Sequence, residues 1–262
     1  MRLCLRDAAQ GRIGGAGAGG LFHPAEFAPY DGGRQDQASA LTAGAEHTVA
    51  LDGGGERMSE TRPKVSFTRM KDGTREDYAL LEELERPFLA GTADRLLREL
   101  AAQADETLSG YRITRLEHGL QAATRARRDG ADLDWVVAAL LHDIGDRLAP
   151  QNHDRMAAEI LRPYVREEVA WVVEHHGIFQ MAYYAHHVGQ DPEARQRFRD
   201  HPCYRSCADF CERWDQSSFD PDYPMDPLES FAADVRAAFA RTAYDPAVLR
   251  PGEVRGLPEP GD

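Results

Sequence analysis

His142 and Asp143 stand side by side at the end of an apolar run, Trp135-Val-Val-Ala-Ala-Leu-Leu141. A run this apolar buries itself, yet it ends in two side chains that ligate metals. More donors surround it in the chain: His118 upstream, His153 and the His175-His176 pair downstream, and Asp215 within Arg213-Trp-Asp-Gln216. Nitrogen and oxygen donors delivered from separate elements into an apolar interior make a transition-metal site. With His176 taken from the pair, the candidate ligands are His118, His142, Asp143, His153, His176 and Asp215. Six ligands exceed the need of one tetrahedral zinc and suit two metal ions with open positions. Asp143, next to His142, is the residue expected to bridge them. His175 is placed as an outer partner or substrate contact. Asp146, three residues past Asp143 and on the same helix face, is expected to point into the open site. His186-His187 is read as a solvated or core pair.

These side chains need a scaffold, and the pattern around them is helical. Tyr78, Leu80, Leu81 and Leu84 form a stripe over Glu76–Arg86 that Pro87 should end or kink. Ala93–Ala104 follows, with Thr92 as a candidate cap. Thr114–Arg128 carries Leu116, Leu120 and Ala123 on one face and stops at Asp129-Gly130. Asp132 or Asp134 opens the helix that leads to His142, and Gly145 closes it. Asn152 can cap a helix to Leu161. Further helices are expected over 166–177, 179–188, 192–199, 202–215 and 228–240. Val65–Thr68 is at most a short extended piece, and Asp220–Pro227 is a loop because its three prolines forbid a helix.

The chain has 262 residues. Residues 8–57 are dense in Gly and Ala, with tracts such as Gly14-Gly-Ala-Gly-Ala-Gly-Gly20, and lack any sustained period. The expected organisation is a disordered extension over 1–57, one helical domain over 58–245 and a flexible tail over 246–262. Met58 follows Gly53-Gly-Gly-Glu56, which a purine-rich tract resembling a bacterial ribosome-binding sequence would encode, so Met58 is a candidate start. The formal net charge is −13, with only Lys64 and Lys71 as lysines among 31 basic residues. No basic face is visible, which argues against nucleic-acid and anionic-membrane partners. No apolar run approaches membrane-spanning length. Cys203, Cys207 and Cys211 lie at i, i+4 and i+8, a spacing for buried free thiols in a reducing cytoplasm rather than for zinc or disulfides.

From Leu116 to Asp215 the order and spacing of His118, His142-Asp143, His153, His176 and Asp215 resembles the HD-domain superfamily. That resemblance implies an all-α HD-domain helical bundle with a dinuclear metal site in its core. The two extra histidines are marks of its dinuclear members, which include phosphohydrolases and mixed-valent diiron oxygenases. The stretches Arg115–Thr124 and Val136–Gly145 resemble in particular the oxygenases that cleave hydroxylated organophosphonates, and more distantly myo-inositol oxygenase. Implied, then, is an oxygenase with an Fe(II)/Fe(III) pair acting on a small hydroxylated substrate. The alternative is a phosphohydrolase using Mn or Mg on a phosphate ester or nucleotide. The chain departs from the phosphonate group at substrate-contact positions. Leu108 and Tyr111 replace a Tyr and a Glu, Asp146 replaces a histidine, and Gln180 replaces a lysine. Arg125, Arg147 and Arg213 are candidates to supply the missing cation.

The composition of residues 1–57 offers too little apolar surface to offset the entropy of ordering them. A chain that begins at Met58 is therefore expected to keep the melting temperature and metal content of the full chain. A drop of many degrees in a calorimetric scan would show that the segment docks on the domain.

Overall fold

The computed structural model describes residues 63–105 and 110–259. The Gly/Ala-rich stretch expected over 1–57, and Leu108, lie outside the described residues. Among those described, no strand forms. The helices are α1 (Arg75–Ala90), α2 (Thr92–Ala102), α3 (Arg115–Arg128), α4 (Leu133–Leu141), α5 (His153–Leu161), α6 (Glu167–Tyr184), α7 (Tyr204–Phe210), α8 (Leu228–Phe239) and α9 (Pro246–Leu249). The fold is an all-α bundle. No helix of the described residues is long and apolar enough to cross a membrane.

Local chemistry sets where the site-bearing helices start. Thr114 caps α3 in a reciprocal box: its side chain accepts from the Glu117 N–H at 3.1 Å, and Glu117 accepts from the Thr114 N–H at 2.6 Å. This places His118 one turn into the helix. Asp132 caps α4 by accepting from the Trp135 N–H at 3.2 Å. α4 is the centre of the core. Every residue from Trp135 to Leu141 is buried, and α3, α6 and α8 pack around it. Burying a Val, Leu or Trp side chain of this kind contributes about 1.5–3 kcal/mol. Its N-terminus is tied by Asp134, which accepts from the Arg166 backbone N–H at 2.9 Å and from the Arg241 guanidinium at 2.6 Å.

Two glycines allow the helices to come as close as the site requires. A Cβ on Gly119 would lie 2.9 Å from the Leu140 carbonyl oxygen, so α3 presses directly on α4 beside His118 and His142. At Gly145 a Cβ would lie 2.8 Å from the His153 carbonyl oxygen. The turn after α4 thus touches the first residue of α5, which is His153.

The structure departs from the sequence reading in four places. Of the two outcomes expected at Pro87, an end or a kink, the end does not occur: α1 runs through it to Ala90, on a stretch where Phe88 and Leu89 are exposed. The two helices expected on either side of Gly177 are one, α6. Gly177 faces α5, where a Cβ would sit at an ordinary 3.5 Å from Asp154, and packing offsets its helix cost of about 1 kcal/mol. The helix expected over 192–199 is a 3₁₀ segment, Ala194–Phe198. The tail expected to be flexible over 246–262 instead begins with α9, capped by Asp245, and crosses the domain as far as 259. Its reason is polar: the buried Glu168 carboxylate accepts from the backbone N–H groups of Arg255 and Gly256 at 3.0 and 2.9 Å, and Trp135 donates to the Gly256 carbonyl at 3.1 Å.

Gly119→Ala tests the close α3–α4 contact. The gain in helix propensity, up to about 1 kcal/mol, is outweighed by overpacking of about 1–3 kcal/mol against a backbone atom that cannot give way. A lower urea midpoint is expected, and an unchanged one would refute the contact.

Candidate metal centre

The structure brings all six predicted ligands together, from five elements. His118 comes from α3, His153 and His176 from α5 and α6. His142 and Asp143 come from the tight turns after α4, where the Ile144 N–H bonds the Leu141 carbonyl at 3.0 Å. Asp215 ends a π-turn, Cys211–Asp215, that continues α7. In that turn the Gln216 N–H bonds the Cys211 carbonyl at 2.9 Å, one residue further back than in an α-helix.

The donor atoms fall into two groups that share Asp143. In one, His118 Nε2 lies 3.1 Å from His142 Nε2 and 3.2 Å from Asp215 Oδ1. Asp143 Oδ2 stands 3.6 and 3.7 Å from the same two imidazole nitrogens. In the other, Asp143 Oδ1 lies 3.2 Å from His176 Nε2 and 3.3 Å from His153 Nε2. Ligands held at ~2.1 Å from one ion stand roughly 3.0–3.4 Å apart, so both groups have the spacing of a coordination sphere.

The imidazole tautomers point the same way. His118, His142, His153 and His176 each donate from Nδ1 to a backbone carbonyl, those of Ser218, Ala139, Pro150 and Val173, at 2.8, 2.8, 3.1 and 2.7 Å. Their Nε2 lone pairs therefore face inward. Two lone pairs meeting at 3.1 Å between His118 and His142 repel unless positive charge lies between them. Asp215 Oδ2 is also buried without a hydrogen-bond partner. The donor set thus fits a metal ion on its own chemistry.

The electrostatics agree. Burial alone would lower the basicity of His118, His142 and His176, but the carboxylates of Asp143 and Asp215 outweigh it and raise all three. Burial would likewise raise the Asp143 and Asp215 carboxyls. The neighbouring imidazoles, His142 foremost, hold both below the usual range. Each half of the cluster stabilises charge on the other, and a cation supplies positive charge here without needing protons.

A cavity of about 340 Å³ opens on the cluster. His118, Asp143, His153, His176 and Asp215 line its floor, and Tyr111, Tyr183, Tyr184 and Phe219 line its walls with Gln180 and Gln216. Phe219 stacks on the His118 ring at 4.4 Å.

Two predicted site residues lie elsewhere. His175 is next to His176, but a helix turns about 100° per residue. It donates to the Trp171 carbonyl and stacks on the Trp171 ring at 4.1 Å, outside the cavity. Asp146 sits behind His153, with Oδ1 3.2 Å from its Nδ1 and Oδ2 against Arg115 Nε. It faces the ligands from outside rather than a substrate, because the tight turns after α4 rotate it off the face a continuing helix would give it. Burial, then the Asp143 charge, raise its carboxyl above the usual value. The rings of His186 and His187 lie tilted against each other at the surface. The three cysteines are buried free thiols.

Sequence reading missed Arg115, which lines the cavity and donates to Asp143 Oδ2 at 2.7 Å. Its signal was present: three residues before His118, it shares that face of α3. The three arginines named in its place are occupied away from the cavity. Arg125 bonds the Ser217 carbonyl, Arg147 pairs with Glu99, and Arg213 pairs with Asp129.

Residues 115–209 match the HD-domain family model. Five of the six candidate ligands, His118, His142, Asp143, His153 and His176, fall within the matched segment. The chain is 31% identical over 100 residues to a [1-hydroxy-2-(trimethylamino)ethyl]phosphonate dioxygenase (glycine-betaine-forming) of Leisingera caerulea, covering 34% of this chain and 47% of that protein. It is 32% identical over 85 residues to a hydroxymethylphosphonate dioxygenase of Gimesia maris, covering 28% of this chain and 42% of that protein. The matched stretch thus spans less than half the length of either relative.

The outer position of Asp146 is testable by metal titration. Asp146→Ala removes the carboxylate behind His153 and is expected to weaken metal binding about 10- to 100-fold. His175→Ala should leave metal content unchanged while lowering the melting temperature through its lost packing on Trp171. The reverse pattern would return His175 to the site.

Proposed function

We propose that this HD domain is a non-haem diiron oxygenase acting on a small hydroxylated substrate of the organophosphonate class. The observation that carries the reading is the split of the donors into two groups sharing the Asp143 carboxylate. His118, His142 and Asp215 would hold one ion, His153 and His176 the other, and Asp143 would bridge them. When bound, an Fe(II)/Fe(III) pair supplies the Lewis acidity and electrons for oxidation of a hydroxylated carbon by O2. The names of the two relatives, both phosphonate dioxygenases, support reaction with O2 and this substrate class.

The chain's own residues do the rest. The second group has three protein donors against four in the first, and its His153 side chain is a quarter exposed where the others are buried. It is therefore the side on which substrate oxygens find room. Tyr111, Tyr183, Tyr184 and Phe219 give the cavity apolar ring surface above that floor. Nδ1 hydrogen bonds to four backbone carbonyls hold each imidazole in its ligating tautomer, so no proton has to leave Nε2 when metal binds. The 340 Å³ cavity takes a molecule of a few carbons, at the small end of ligand pockets.

Anaerobically purified, iron-loaded protein is expected to hold two irons per chain and to give a mixed-valent Fe(II)/Fe(III) EPR signal. A protein that holds Mn or Mg, shows no such signal and hydrolyses phosphate esters would be a phosphohydrolase. In the same assay Asp143→Ala should lose both irons, because it contributes one oxygen to each group. His176→Ala should lose chiefly the second. Retention of two irons by Asp143→Ala would end the bridging role.

A further inference from the structure

The cavity poses a charge problem. Its floor collects carboxylates and imidazoles, and its walls are phenol, phenyl and amide groups. Arg115 is the single Lys or Arg among its lining residues. Its side chain is 18% exposed and doubly held: Nη1 donates to Asp143 at 2.7 Å and Nε faces Asp146. Nη2 has no hydrogen bond or ion pair among the described residues, nor is it one of the buried unpaired atoms. It therefore keeps its two N–H bonds for the cavity.

We propose that Arg115 is the receptor for an oxyanion of the substrate, a phosphonate, phosphate or carboxylate group. The hydrogen bond to Asp143 and the ion pair with Asp146 hold the guanidinium at the cavity before a ligand arrives. A planar fork held in this way loses little freedom on binding and makes charge-assisted hydrogen bonds. Asp146 then has a second effect besides its contact with His153: it pairs with Arg115. The cation sits beside the shared ligand Asp143, so an anion on Arg115 would place the neighbouring carbon and its hydroxyl over the donor cluster. This rests on the cluster being a metal centre for a small substrate, as proposed above, but not on which reaction it performs.

The test uses the iron-loaded full chain, titrated by calorimetry with methylphosphonate and separately with acetate. Neither probe carries a hydroxyl, so neither should turn over as a hydroxylated substrate would. Arg115→Gln is expected to keep its iron and melting temperature and to lose about tenfold or more in affinity, the loss of charge-assisted hydrogen bonding. Arg115→Lys should fall between, since it keeps the charge without the fork. The probe that suffers the larger loss identifies the oxyanion. Three results would overturn the receptor role: affinities within twofold of wild type in Arg115→Gln, no binding of either probe by wild type, or loss of iron in both variants, which would make Arg115 a positioning residue for Asp143. EPR on the same samples separates the two claims. A mixed-valent signal with no Arg115 effect removes only the receptor. An Arg115 effect without that signal removes only the oxygenase.

Discussion

The charge on Asp143 is the constraint around which this domain is organised. Its carboxylate lies in a bundle core, where an unpaired ion is not tolerated. Four imidazoles and one guanidinium converge on it, from α3, α5, α6 and its own turn. None of these partners satisfies it alone, because each histidine spends its Nδ1 hydrogen on a backbone carbonyl and offers a lone pair inward. Donors and lone pairs are thus accumulated without the positive charge that would stabilise them. A metal ion would resolve the excess by supplying positive charge to all of these donors at once.

That excess has to be held in place by something apolar. α4 is buried from Asp134 to Leu141, and its packing supplies the free energy with which the donors at its C-terminus are kept out of water. The position of the donors is then a matter of contact distance. Gly119 and Gly145 remove the two side chains that would separate α3 and α5 from the His142–Asp143 turn. The π-turn at Cys211–Asp215 adds one residue to the end of α7. It is fastened by Asp129, which accepts from Trp214 Nε1 at 2.7 Å and from Arg213 at 2.6 Å, on either side of the backbone leading to Asp215. The wider turn aims Asp215 at His118 and His142.

The parts of this design legible in the sequence are those carried by spacing and residue type. The run Trp135–Leu141 ending in His142-Asp143 announces a buried helix with a charged terminus, and no other use of the chain accounts for it. The capped starts at Thr114 and Asp132 were likewise readable, because a cap is a local interaction between residues three apart. What spacing could not give was direction. His175 and His176 are equal in the sequence, and only the packing of α6 against the Trp171 cluster turns one outward. Asp146 is read into the site by helical periodicity, and the tight turns after Leu141 break that periodicity. Arg115 was passed over because an arginine in a first helical turn is ordinary on a solvated face. The order of residues 250–259 depends on Glu168 and Trp135, more than eighty residues distant in the chain.

A donor cluster of this kind does not by itself choose between oxidation and hydrolysis. Two ions sharing a carboxylate suit either chemistry, and the same six residues would serve both. Selection lies in the opposite wall of the cavity. Among the described residues that wall carries the neutral amide of Gln180, while Asp146 stands behind His153 and outside the cavity. The one cation that reaches the cavity does so from α3, beside the first histidine rather than after the last. A substrate anchored there lies across the donors from a different side. If an oxyanion binds Arg115 as proposed, the placement of that single guanidinium would set which bond of the substrate faces the donors.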